Sequence, residues 1–259
     1  IRVDHPAHIR DLPWVCGGCE LAYGFSEGTQ PFGITRPVHL ILTHPLRVTP
    51  FGVHAWNDET VSLDSATIHL TTELQNHSGQ RREFSLRHIL YDESGREVGR
   101  VLSSGLARPG ATVKLGNSFE RIENPRLWHP DTPYLYTIVT EVLEDGKVVD
   151  RVEIDYGIRS IEWPDLDGPA GKPILINGKP FFINGTADYE HLLGESHAFT
   201  DEQVRARAGK ILAVGYNAFR DAHHPHNLRF NRIWDREGLL WWTQMGAHIW
   251  FDSPKFQTT

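Results

Sequence analysis

Two periodicities divide the 259-residue chain near residue 160. Before that point, short runs alternate apolar and polar positions and are separated by turn signals. Residues 66–74 place Ile68, Leu70 and Leu74 on one face at period two, the pattern of a half-buried strand. Residues 37–43, 83–91, 97–102, 112–115, 134–143 and 148–156 read as further strands. Asp92-Glu93-Ser94-Gly95 and Glu144-Asp145-Gly146 read as turns, the second closing a hairpin. About seven short strands in roughly 110 residues predict an immunoglobulin-like β-sandwich. No cysteine pair spans it, so it is not a disulfide-pinned domain of the antibody type.

After residue 160 the period lengthens. Residues 180–184 form a short apolar run, read as a buried strand. Thr200 and Gln203 have the form of a capping box. Val204, Ala208, Ile211 and Leu212 follow at helical spacing, and Gly215 closes that helix. Residues 217–220 predict a second strand. Asn227 can cap a second helix with Phe230, Ile233 and Trp234 on its inner face, ended by Gly238. Residues 239–242 predict a third strand. Strands joined through helices by such short connections predict a parallel sheet. A (β/α)8 barrel needs about 250 residues. The 81 residues after Gly178 allow three strands and two helices. The expected architecture is therefore a β-sandwich followed by the opening of an α/β domain with a parallel sheet.

Composition narrows the functional classes. The net charge of −7 argues against a nucleic-acid partner, which favours a basic face. No apolar run approaches the roughly 20 residues of a membrane span. Eight Trp and seven Tyr fit either core packing or stacking on sugar rings. Cys16 and Cys19 have the spacing of a redox pair, but the glycine-punctuated stretch after them does not predict the helix such a site needs. Two cysteines cannot complete a four-ligand zinc site. Residue 1 is Ile and no secretory signal opens the chain, as expected of an excised segment or processed product.

The candidate chemistry gathers in Asn217-Ala218-Phe219-Arg220-Asp221-Ala222-His223-His224-Pro225. This stretch is a strand end followed by polar residues, and parallel sheets bind ligands at the carboxyl ends of their strands. Arg220 and His223 are the leading candidates; a strand-end ion pair and a helix-capping histidine are the structural alternatives. His223, His224 and His226 lack the spacing to converge on one ion, so no metal and no cofactor are expected.

Six motifs then follow one another in an order that resembles the family 2 glycoside hydrolases, which include β-galactosidases, β-glucuronidases and β-mannosidases. They are Phe32-Gly33-Ile34-Thr35-Arg36-Pro37-Val38, Leu127-Trp128-His129-Pro130-Asp131-Thr132-Pro133-Tyr134-Leu135-Tyr136, Tyr156-Gly157-Ile158-Arg159, Ile176-Asn177-Gly178-Lys179-Pro180, Ile183-Asn184-Gly185 and the stretch from Asn217 to Pro225. The resemblance implies that residues 1–45 are the end of a jelly-roll domain, 46–160 the immunoglobulin-like sandwich and 161–259 the truncated first part of the TIM-barrel catalytic domain.

The resemblance also implies a retaining exo-glycosidase, β-galactosidase-like, that acts on oligo- or polysaccharides. Such enzymes use two carboxylates about 5–5.5 Å apart. The family carries them after barrel strands 4 and 7. The acid/base and the nucleophile are therefore both expected downstream of Thr259, and the chain alone is expected to be inactive. Arg220 and His223 match family residues that orient the carboxylates and bind sugar hydroxyls. Asp188, Glu190 and His191, in the loop after the first barrel strand, are further substrate-binding candidates, with His197 behind them. Trp242, Trp250 and Phe251 could wall the sugar. Thr243 and Gln244 stand where many members have Asp-Glu, which removes two charges from the pocket rim. A periplasmic or secreted bacterial location accords with the family. The competing readings are a carbohydrate-binding or interaction module without catalysis, and a homologue with altered chemistry. Three parallel strands leave an open edge, so association of copies through it is expected of the isolated chain.

Overall fold

The computed structural model describes residue 34 and residues 38–164, 171–190, 198–222 and 225–244. The chain divides into two compact units, one spanning residues 41–182 and the other including residues 183–259.

The first unit is built on seven strands: β1 (Leu46–Asn57), β2 (Ser65–Asn76), β3 (Arg82–Tyr91), β4 (Glu97–Ala107), β5 (Thr112–Glu123), β6 (Tyr136–Glu144) and β7 (Lys147–Tyr156). They form two antiparallel sheets, ordered β1-β2-β5 and β4-β3-β6-β7. Alternation explains the core. On β2 the even-numbered residues from Ala66 to Asn76 are all buried, and the odd-numbered ones are not. Ile68 and Leu70 from one sheet join Leu90 and Ile138 from the other. Leu46 and Leu74 join Leu86 and Val142 in a second cluster. The β6–β7 hairpin turns at Asp145 and Gly146, both at positive φ (49° and 76°), the backbone a tight two-residue hairpin needs.

The first strand lies further along than its apolar pattern suggests. Residues 38–43 are not in a strand, and Leu40 and Leu42 are almost fully exposed. The strand is β1 instead. Its period is broken by a register shift between Val48 and Val53, across Pro50 and Gly52, so no single alternation runs through it.

Three of the sequence motifs meet at the end of this unit. The Trp128 N–H donates to the Ile158 carbonyl (2.8 Å), and the Arg159 guanidinium lies over the indole, 5.2 Å from its centroid. Gly157 faces Trp128 so closely that an added Cβ would sit 2.9 Å from its Cβ. Asn177 donates to the Trp128 carbonyl (3.0 Å) and accepts from the Ser160 N–H (3.0 Å). These bonds tie on a small sheet of β8 (Ile161–Glu162), β9 (Ile174–Ile176) and β10 (Lys179–Phe181). Asn177 and Gly178, at φ 52° and 72°, turn β9 antiparallel into β10.

In the second unit the order is β11 (Gly185–Asp188), α1 (Asp201–Ala213), β12 (Ala218–Asp221), α2 (Leu228–Glu237) and β13 (Leu240–Trp242), with β11-β12-β13 parallel. The apolar run at 180–184 is thus not the first parallel strand. Phe182 is exposed, and the strand is the less apolar Gly-Thr-Ala-Asp that follows. Thr200 caps α1 in a complete capping box with Gln203, burying Val204, Ala208 and Ile211. Asn227 caps α2, and Gly238 ends it in the left-handed conformation at φ 82°. Phe219, Phe230, Ile233 and Trp234 pack with the buried face of α1.

Candidate active-site face of the parallel strands

Register sorts the strand-end residues into two faces. Ala187, Arg220 and Trp242 are neighbours across the three strands, and Thr186, Phe219 and Trp241 form the adjacent row. Phe219 packs into the helix-covered core, so its row faces the helices. Side chains alternate along a strand, so Ala187, Arg220 and Trp242 project from the other face, the one that a closed barrel turns inward.

Arg220 is half-buried and donates from its guanidinium to Gln244 Oε1 (2.5 Å). The Trp242 indole beside it is 70% exposed. A cationic and an aromatic residue are thus register neighbours at the carboxyl ends of the strands, the aromatic one on the edge strand β13 of the described sheet. Gln244 accepts the hydrogen bond without contributing negative charge, so Arg220 keeps its cationic field toward the open face.

The acidic candidates lie elsewhere. Asp188 belongs to the helix-facing parity and pairs with Arg207 of α1. It also accepts the Tyr189 N–H (2.8 Å). Arg207 extends under the sheet, 5.3 Å from the centre of the Phe219 ring. Burial lowers the pKa of its guanidinium, and the charge of Asp188 opposes that shift. Glu190 is buried and accepts the N–H of Asn227, the capping residue of α2, at 3.1 Å. His191 and His223 lie outside the described residues, as do His197, His224, Trp250, Phe251 and the Cys16–Cys19 motif. Thr259, the position after which the acid/base and the nucleophile are expected, lies outside them too. Of the six substrate-binding candidates, the structure brings Arg220 and Trp242 together on one face. Asp188 and Glu190 are bonded to the frame behind it.

A buried polar cluster next to Arg220 has no counterpart among the sequence-based expectations. Asp221 is fully buried; it accepts Trp241 Nε1–H (2.8 Å) and the His226 backbone N–H (3.0 Å). The His226 ring Nδ1 lies 3.2 Å from the same carboxylate. The cluster fastens the end of β12 to β13 and to the segment entering α2. A buried carboxylate with converging donors strongly prefers this one arrangement. The signal available in the sequence is the charged residue directly after Arg220, followed five positions later by a histidine. Among the described residues, no three or more His, Cys, Asp or Glu side chains gather as metal ligands.

Comparison with known proteins agrees with this frame. The sequence profile of glycosyl hydrolases family 2 matches residues 53–159, and the profile of the TIM-barrel domain of that family matches residues 170–244. A β-galactosidase of Bacteroides ovatus is 34% identical over 209 residues, covering 80% of this chain and 24% of that protein. A β-glucuronidase of Paenibacillus borealis is 29% identical over 185 residues, 67% of this chain and 28% of its own length. A crystal structure of a family 2 member from Bacteroides cellulosilyticus superposes with a TM-score of 0.71 at 25% identity, covering 78% of this chain and 27% of that one. The chain spans roughly a quarter of the length of these relatives. The two profiles together match more than half of the chain, in the order of its sandwich and its parallel strands. The chain belongs to glycoside hydrolase family 2, and comprises the family's sandwich domain and the start of its TIM barrel.

Proposed function

We propose that this chain is the sandwich and early-barrel segment of a retaining exo-glycosidase, and that its share of the active site is to bind and orient the sugar. The observation that carries this reading is the row formed by Arg220 and Trp242 at the strand ends, on the face away from the helices. A pyranose ring presents an apolar C–H face and a rim of hydroxyls. Trp242 would take the face, and Arg220 would donate to hydroxyl or carboxylate oxygens. His223 would complete the donor set.

The bond-breaking pair is proposed to come from barrel strands downstream of Thr259. Retaining hydrolysis needs one carboxyl group as acid and base and a second, about 5–5.5 Å away, as nucleophile. Asp188, Glu190 and Asp221 are each engaged by Arg207, Asn227, or Trp241 and His226. None of them projects from the row that carries Arg220. Asp188 and Glu190 would therefore support the site rather than touch the sugar. A polypeptide of these 259 residues alone would not turn over glycosides.

The substrate proposed is a β-galactoside, with β-glucuronide next. The names of the relatives support these two classes. The test is a panel of nitrophenyl α- and β-glycosides offered to the complete protein that contains this segment, and to the 259-residue chain. Turnover of a β-hexoside by the first and none by the second is expected. Turnover by the short chain, or none of any glycoside by the complete protein, would contradict the proposal.

A further inference from the structure

We infer that the sandwich carries a second saccharide site, remote in sequence from the barrel strands, on the outer face of the β1-β2-β5 sheet. An open recess of about 420 Å3 lies there, lined by Phe51, His54, Trp56, Thr71, Glu73 and Lys114.

The local backbone shows why the recess exists. The register shift in β1 expels Phe51, which is 86% exposed and sits at φ 57°. An aromatic residue rarely adopts that conformation, and such strain collects at functional positions. The bulge needs Gly52, where an added Cβ would stand 2.8 Å from the Glu73 carbonyl oxygen. Beyond the bulge, period two puts His54 and Trp56 on the outer face. Their rings stack at 5.3 Å and 24°, and His69 extends the surface at 5.5 Å from Trp56. Thr71 is paired with Gly116, which has no side chain to fill the middle of the sheet. Glu73 and Lys114 close the far side as an exposed pair, 3.3 Å apart.

This arrangement suits a neutral pyranose. The flat rings match the C–H face of the sugar, and the paired acid and amine supply an acceptor and a donor to its hydroxyls. Glu73 and Lys114 neutralise one another, which disfavours a charged ligand. A site on the sandwich would hold a polymeric substrate through residues separate from Arg220 and Trp242 and leave small glycosides unaffected.

The test uses the complete protein in an Arg220→Ala background, which weakens sugar binding at the barrel face. Neutral β-linked hexasaccharides of glucose, galactose, mannose and xylose are titrated calorimetrically. At least one should bind, and Trp56→Ala should weaken it by at least ~10-fold, the effect of losing one stacked ring. Trp56→Phe should retain binding, and turnover of nitrophenyl glycosides by the Trp56→Ala protein with Arg220 intact should be unchanged. Absence of binding by every probe would overturn the inference, as would equal binding by Trp56→Ala or loss of nitrophenyl turnover in that variant. Full protection of β1 from hydrogen exchange by another part of the protein would do so too. None of these outcomes bears on Arg220.

Discussion

At the scale of single residues, neighbours in sequence take opposite duties. Arg220 projects from the open face of the sheet, while Asp221 is buried behind it with Trp241 and His226. One strand end therefore carries both a candidate sugar contact and the anchor that fixes it. A different buried group makes the stability of the sandwich depend on pH. His88 is fully buried, with Nδ1 2.9 Å from Thr140 Oγ1, and burial pushes its pKa down to about 4. The unfolded chain would take up this proton near pH 6.5, and the folded one would not until about pH 4. Its contribution is thus complete above pH 6.5 and is lost as the pH falls through that window. Between pH 7 and pH 5 the loss should be about 2 kcal/mol, measured by denaturant titration at both values. His88→Gln should remove most of that difference. An equal acid sensitivity in the variant would contradict this account.

At the scale of elements, sequence motifs that look like separate signatures are one packing arrangement. Trp128 is held by Gly157, Ile158 and Arg159, and Asn177 links it to the β9–β10 turn. Gly157→Ala should overpack this junction and cost ~1–3 kcal/mol, visible as a lower denaturation midpoint. An unchanged midpoint would show that the indole can move aside. Much of this level is legible in the sequence. The alternation of β2, the capping box of α1 and the left-handed Gly238 each follow from local patterns. The failures have physical causes. Residues 38–43 are apolar enough for a strand but lie exposed, and β1 is hidden because its bulge breaks the alternation. β11 escapes the apolar pattern because Gly-Thr-Ala-Asp is a strand by its pairing to β12, not by its hydrophobicity. The site is less legible than the fold. Its residue types mark a strand end, but only the register tells that Asp188 faces α1 and Arg220 the open side.

At the scale of the whole molecule, the parallel sheet is the start of the family's TIM barrel, and we propose that its open face is one arc of the sugar site. In the described residues β11 and β13 are its edges, and Arg220 lies between them on the central strand. The account rests on that position being where sugar is oriented for cleavage. The direct measurement is kcat/KM of the complete protein for its best nitrophenyl β-glycoside, with and without Arg220→Ala, with melting temperatures alongside. Loss of a hydrogen-bonding cation used in the transition state should lower kcat/KM by at least ~10²-fold. The melting temperature should fall little, because Arg220→Ala gives up one hydrogen bond, to Gln244, while the buried bonds of Asp221 to Trp241 and His226 remain. Wild-type kinetics in Arg220→Ala would remove this face from the active site and contradict the account.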